Sequence, residues 1–362
     1  MVGALVRDSK EVDSVSAIPR VVAEACNPQV QDLIILPTEK CNFRCTYCYE
    51  DFAVGKMSEA VQRAVEQFMS NRIPDLAQLS IKWFGGEPLV AKAVVLRLSA
   101  HAKSLCDQHG VGLSGGLTTN AWLLDYATFS ELVSYDQRFF QITLDGWKDV
   151  HDTFRRRANG RGTFDRIWEN LLATRESDDQ FEIQLRVHIR RGDQGSIEEL
   201  LQHIAAEFGN DPRYSIDFEH IRNLGGEGGK TVANPLSLDE LKAIERDLRA
   251  FYERQIASYH PSMARCAGGI PDPSVDTVES ASASSLFDGY VCYASKPNSL
   301  LIRADGRLGK CTVALTDDRN TIGKLNDDGS VFVEKLKLQP WIRGLRSLDE
   351  AELGCPLGGL PR

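Results

Sequence analysis

The sequence predicts an α/β fold, a partial (β/α)6 TIM-like barrel with a small β-rich domain at its C-terminal end. Three observations predict it. Short β-branched runs alternate six times with longer amphipathic stretches over about 220 residues, too few units for a closed eight-fold barrel. The alternation stops near residue 225, where short runs and turn signals replace it. The chain has 362 residues, room for two or three domains or for one barrel with an extension.

The first strand candidate is 32–37 (DLIILP), and the helix candidate 58–71 opens on Ser58-Glu59, a capping residue before an acidic first turn. The next pairs are strand 79–84 with helix 91–109, and strand 111–118 with helix 125–134. Strand 138–144 with helix 164–175, strand 183–189 with helix 196–207, and strand 214–221 with helix 237–258 complete the series. Ser196 is read as a further cap. Such alternation builds a parallel sheet through right-handed crossovers. LGGEGGK (224–230) reads as a Gly-rich hinge or loop, and 259–290, with SASASS at 280–285, as loop-rich. The turn signals ADG and DDG then mark two hairpins. The expected divisions are an N-terminal extension (1–30), the barrel (31–235), a linker helix and loop (236–290) and the tail domain (291–362).

Composition excludes several classes. The net charge is −9, from 42 basic and 51 acidic residues, which argues against nucleic acid as the main partner. No window reaches the ~18–20 apolar residues of a membrane span. MVGALVRDSKEVDS has no apolar core before its charges and is not a secretory signal. Nine cysteines, an odd number without an export signal, make a poor disulfide framework and fit a reducing, cytoplasmic compartment.

Three of the nine crowd into ILPTEKCNFRCTYCYEDF, with Cys41, Cys45 and Cys48 spaced C-x3-C-x2-C directly after the first strand. Loops after strands lie at the C-terminal face of parallel sheets, where active sites collect. Three thiolates from one loop suit three irons of a four-iron, four-sulfur cube, leaving the fourth iron open to a ligand. Structural zinc, which wants four ligands, and inert thiols are the alternatives. No further Cys or His follows within fifty residues, and Asn42, Arg44 and Glu50 interleave the triplet.

The triplet, with Tyr47 as the aromatic residue before its third Cys, resembles that of the radical S-adenosylmethionine (radical SAM) superfamily. WFGGEPLV (83–90) looks like the family's GGEP motif, comprising Gly85, Gly86, Glu87 and Pro88. LTTNAWLL (117–124) resembles its ribose region, with Ala121 where Gly is usual. ITLDGWKDVHDTFRRRANGRGTFDRIWENL (142–171) is similar to the signature of the peptide-modifying branch. The resemblance implies that a reduced cluster cleaves S-adenosylmethionine and that the resulting 5′-deoxyadenosyl radical abstracts a hydrogen atom. It implies close backbone approach at Gly85 and Gly86, acceptance of the cofactor's amino group by Glu87 and a ribose contact from Asn120. It places Asp145 at the same mouth and Arg186 on the methionine carboxylate. His151 and Asp152 belong to the signature or hold the loop by local hydrogen bonds. His188 reads as a satisfied histidine, and Arg155, Arg156, Arg157 and Arg161 as a solvated basic face.

Cys292 and Cys311, joined by CYASKPNSLLIRADGRLGKC, resemble the first half of the SPASM domain, the auxiliary-cluster extension of peptide-modifying members. The second half departs from that pattern: only Cys355 follows, and Gly358 stands where the next Cys would fall. Cys266, Cys292, Cys311 and Cys355 would suffice for one auxiliary 4Fe-4S cluster in a twitch-like domain; a truncated motif or unrelated thiols are the other readings. Cys26 and Cys106 match no motif.

The resemblance points to a ribosomally made precursor peptide as substrate and to a thioether, C–C or C–O cross-link as product. Thr312 follows Cys311 where formylglycine-forming sulfatase maturases carry Asp; Asp317 and Asp318 are candidate bases in its stead. Only about thirty residues precede the first strand, too few for a leader-binding module, so recognition of a leader is expected to fall to a separate leader-binding protein, the barrel surface or the tail domain. A flavodoxin or ferredoxin would supply electrons. The alternatives are a radical SAM dehydrogenase or related enzyme on a small molecule, and a zinc-binding interaction module.

Overall fold

The computed structural model describes residues 22–232, 235–261 and 290–360. Cys266 and the SASASS segment lie outside the described residues. Six parallel strands form the barrel wall in sequential order: β1 (Val30–Ile35), β3 (Gln78–Trp83), β4 (Gly112–Thr119), β5 (Gln137–Leu144), β7 (Glu182–Ile189) and β8 (Tyr214–His220). β2 (Phe43–Cys45) and β6 (Arg155–Arg157) pair separately as an antiparallel ribbon. Helices α1 (Glu59–Arg72), α2 (Lys92–His109), α3 (Tyr126–Ser134), α4 (Lys148–Phe154), α5 (Phe164–Thr174), α6 (Gln194–Phe208) and α7 (Leu238–Tyr259) fill the connections. All twelve predicted barrel elements are present within two residues of the expected ends.

The local reasons are those of the sequence. Ser58 accepts a hydrogen bond from Val61 N, Asp125 from Thr128 N, and Ser237 with Glu240 forms a full capping box. Along β7, Ile183, Leu185, Val187 and Ile189 are buried, while Gln184, Arg186 and His188 take the opposite face. One expected cap is corrected. Helix α6 starts at Gln194, and Ser196 instead accepts from Trp147 N at 2.9 Å, tying α4 to α6.

The tail continues the barrel sheet. β9 (Ser299–Ile302) pairs in parallel with β1, with Asp32 opposite Ser299 and Ile35 opposite Ile302. β10 (Arg307–Gly309), β11 (Gly323–Leu325) and β12 (Val331–Val333) extend it antiparallel, through turns at the predicted ADG and DDG. The resulting ten-stranded sheet runs β12-β11-β10-β9-β1-β3-β4-β5-β7-β8. Strand β1, which carries the cysteine loop on its C-terminal end, therefore has a neighbour on each side. No helix among the described residues is long and apolar enough to cross a membrane.

Candidate active site

The three cysteines emerge from β1 into a loop clamped on several sides. Glu39, two residues before Cys41, is 1% exposed and meets the Arg303 guanidinium at 2.6 and 2.8 Å. Arg303 comes from the β9–β10 turn and also donates to Leu315 O at 2.6 Å. From the second strand, Gly86 sits at φ +46, and a Cβ there would lie 2.3 Å from Lys40 O. Its N–H donates to Glu50 Oε2 at 2.7 Å, and Glu87 N to Lys40 O at 3.0 Å. From the Gly-rich segment, a Cβ on Gly228 would lie 2.3 Å from Cys48 O, and Thr231 Oγ1 donates to Thr46 O. Only glycine permits these approaches. The glycines expected to admit the cofactor thus pack first against the cysteine loop.

Glu87 ties strand ends together. Its fully buried carboxylate accepts from Leu89 N at 2.9 Å, Thr119 Oγ1 at 2.8 Å and Asn120 N at 2.6 Å. A carboxylate has about four lone-pair sites, so one remains for an incoming ammonium group. Pro88 is buried at the start of the turn that Glu87 caps. Asn120 is buried as well; its Nδ2 donates to Asn42 Oδ1 at 2.8 Å and lies 3.9 Å from Cys41 Sγ. Ala121, in place of the usual glycine, takes φ +59, a left-handed conformation costing on the order of 1 kcal/mol. Asn170 of the peptide-branch signature holds that turn by donating to Ala121 O at 2.7 Å.

Behind the triplet lies a buried polar network. The Tyr47 hydroxyl donates to Asp145 Oδ2 at 2.6 Å and accepts from Arg155 Nη1 at 2.7 Å. His188 Nδ1 donates to Asp145 Oδ1 at 3.0 Å, and Arg190 Nη1 lies 3.3 Å from Oδ2. Burial would push the Asp145 carboxyl up, but His188, Arg155 and Arg190 outweigh it and hold it well below the usual carboxylate range. Asp145 N donates to His151 Nδ1, so His151 carries its proton on Nε2, which faces Thr163 Oγ1 at 3.1 Å. Asp152 caps α5 by accepting from Thr163 N and Phe164 N. Two expectations change here. Asp145 is fully buried and acts on the cysteine loop through Tyr47, rather than facing the mouth. Arg155 is buried, unlike exposed Arg156 and Arg161. Arg186 is ion-paired with Asp217 at 2.7 Å.

Burial pushes the His151 imidazole down to about 3, from 6.5. Between those values the unfolded chain binds a proton that the folded chain refuses, so stability falls as pH falls through this window. The expected loss is on the order of a few kcal/mol. Urea midpoints measured from about pH 7 to about pH 4.5 check it: His151→Gln should flatten the wild-type slope, and equal slopes would count against the assignment.

Burial also raises all three thiols of the triplet, Cys48 to about 12. Among the described residues, no three His, Cys, Asp or Glu side chains close on a single-ion position. The surroundings fit a thiolate-bound cluster. Asn42 Nδ2 and Arg155 Nε are buried donors without a partner among the described residues, and both lie beside the triplet. Cys41, Cys45 and Cys48 would hold such a cluster.

In the tail, Cys311 is buried, Cys292 half-buried and Cys355 exposed, and the three thiols lie within electrostatic reach of one another. Asn320 Oδ1 accepts from both Lys310 N and Cys311 N at 2.9 Å. The proposed bases are corrected. Asp317 is paired with Arg319 at 2.5 Å, which lowers its carboxyl and makes it a weak base, and Asp318 is exposed. Thr312 Oγ1 is shared with the Tyr293 hydroxyl at 2.9 Å.

Comparison with known proteins agrees with this geometry. The family model "Radical SAM superfamily" matches residues 35–180. A serine-type anaerobic sulfatase-maturating enzyme of Klebsiella aerogenes is 23% identical over 46% of this chain and 42% of its own length. A GTP 3',8-cyclase of Acidothermus cellulolyticus is 29% identical over 61% of this chain and 59% of its own. The chain spans about half the length of the curated relatives it matches. Among solved structures, native anSMEcpe with bound AdoMet superposes with TM-score 0.55 at 17% identity, covering 86% of this chain and 80% of that one. Streptococcus suis SuiB bound to precursor peptide SuiA gives TM-score 0.57 at 15% identity, covering 96% and 74%. The match to the radical SAM superfamily model thus runs from the end of β1 past α5 and includes the thiol triplet on the loop after β1.

Proposed function

We propose that this chain is a cytoplasmic radical SAM maturase that abstracts a hydrogen atom from a side chain or Cα of a ribosomally made peptide, forming a thioether, C–C or C–O cross-link. The observation that carries it is the thiol triplet after β1 together with a second group of thiols, Cys292, Cys311 and Cys355, in the tail whose strand β9 pairs with β1. When bound, the cluster and S-adenosylmethionine supply the radical. Cys41, Cys45 and Cys48 hold the cluster; Glu87, Asn120 and Arg186 orient the cofactor, with Gly85, Gly86 and Pro88 shaping the wall. Cys292, Cys311 and Cys355, with Cys266, hold one auxiliary 4Fe-4S cluster. The precursor peptide and a flavodoxin or ferredoxin are the partners.

Cross-linking is favoured over formylglycine formation because Thr312 directly follows Cys311 and Asp317 is held by Arg319. After anaerobic reconstitution, about eight irons per chain are expected, and about four would remove the auxiliary cluster. Mass spectrometry of a co-expressed precursor should show the loss of two hydrogens at one residue pair. An unchanged mass rejects that reaction for that peptide. The likeness to GTP 3',8-cyclase supports a second reading, chemistry on a small molecule, which predicts turnover with no peptide present.

A further inference from the structure

We propose that Arg155 is the fixed cation that sets the reduction potential of the triplet's cluster, with Tyr47 as the strut that aims it. The inference rests on the reading of Cys41, Cys45 and Cys48 as cluster ligands and goes beyond it.

Arg155 lies directly opposite Cys45 in the β2–β6 ribbon. Residues paired in this way have Cβ atoms about 4.5–5.5 Å apart. The guanidinium is buried, yet its Nε has no partner among the described residues. Burying an uncompensated cation costs several kcal/mol, so such a group is kept only with an anion to face. Within the protein, Asp145 is shared with His188 and Arg190, and Arg155 touches it only through the Tyr47 hydroxyl. Its unpartnered Nε donor is therefore accounted for by the charge of a thiolate-bound cluster. Neighbouring charged residues do not share this place: Arg156 is exposed and donates to Asp152 O, and Arg157 lies over the Trp122 ring.

The consequence follows from charge alone. Reduction adds one electron to an already anionic, thiolate-ligated group. A fixed cation in a low-dielectric setting stabilises the more negative state and raises the potential. Tyr47 holds Nη1 and, by its place between Cys45 and Cys48, couples that cation to the loop.

The test compares wild type, Arg155→Lys, Arg155→Met and Arg155→Gln after anaerobic reconstitution. The readouts are iron and sulfide per chain and an EPR-monitored redox titration without substrate. Arg155→Met and Arg155→Gln are expected to load the cluster but show at least a tenfold lower reduced-to-oxidised ratio at a fixed poise, ~59 mV for a one-electron couple. Arg155→Lys should stay near wild type. Cluster-loaded neutral variants with the wild-type potential would overturn the proposal while leaving the cluster reading intact. If neither neutral variant loads and Arg155→Lys does, the requirement for positive charge is upheld at assembly. If all three fail, the residue is structural and the proposal falls. A wild-type chain that takes up no iron defeats the cluster reading itself, and the proposal with it.

Discussion

Cys45→Ala is expected to abolish S-adenosylmethionine cleavage while leaving the metal-free fold in place. The thiol packs against the main core from a loop whose position does not depend on it. The Glu39–Arg303 pair, the Gly86 and Gly228 contacts and the Glu87 hydrogen bonds all hold that loop through other residues. Removing one buried sulfur costs on the order of 1 kcal/mol in packing, and the metal-free thiol is neutral because burial raises it. The chemical loss is of another order. Two thiolates cannot retain a cube built on three, and without it no electron reaches the sulfonium. Iron should fall by about four per chain, and 5′-deoxyadenosine formation to background. Far-ultraviolet circular dichroism of the metal-free chain should match wild type, and its urea midpoint should fall by no more than a stability loss of about 1 kcal/mol implies. Cys106→Ala is the contrast. Cys106 is buried on α2 among core side chains, and its loss should cost stability while cluster content and cleavage stay unchanged. If Cys45→Ala kept its iron and its cleavage activity, the triplet would not be the catalytic centre.

The sequence made the barrel and the triplet legible for the same reason: both are local signals. Each β–α unit carries its own period, so the six strands of the barrel wall and the six helices paired with them could be placed without knowledge of the rest. The triplet is a spacing within one loop. What escaped was the pairing of residues far apart in the chain. Arg155, Arg156 and Arg157 look alike as a charge run, and only the pairing of β6 with β2 turns the first inward against Cys45. Asp145 ends a strand, where ligands collect, but the arrival of His188, Arg190 and Tyr47 consumes its carboxylate. The LGGEGGK segment reads as a loop until Gly226 and Gly228 are seen pressed on Tyr49 and Cys48. The tail reads as separate because its hairpins are self-contained; nothing local says that β9 will join β1. That junction is where the cysteine loop gains its deepest anchor.

Arg303→Met is expected to destabilise the protein by about 3–5 kcal/mol and to impair cluster loading, although Arg303 lies more than 250 residues from the triplet in sequence. The pair it forms with Glu39 is closed on both sides: the side chains are 6% and 1% exposed, and both carboxylate oxygens are held. A surface pair of this kind would contribute at most about 1 kcal/mol. Here removal of the guanidinium leaves a carboxylate in the interior without a counter-charge, and Leu315 O without its donor. The carboxylate must then protonate, draw in water or move. Movement carries Lys40, whose carbonyl abuts Gly86, and then Cys41. Glu39→Gln in the same background should recover part of the loss, because an amide does not strand a charge. The double variant should therefore be more stable than Arg303→Met alone, a sign that additive contacts cannot produce. Urea midpoints of the metal-free wild type, both single variants and the double variant measure the coupling. A cost below about 1 kcal/mol for Arg303→Met would place the pair among solvent-screened ones. Full iron loading in a destabilised Arg303→Met would separate stability from the cysteine loop, and the anchor would then serve the sheet junction of β1 and β9 alone.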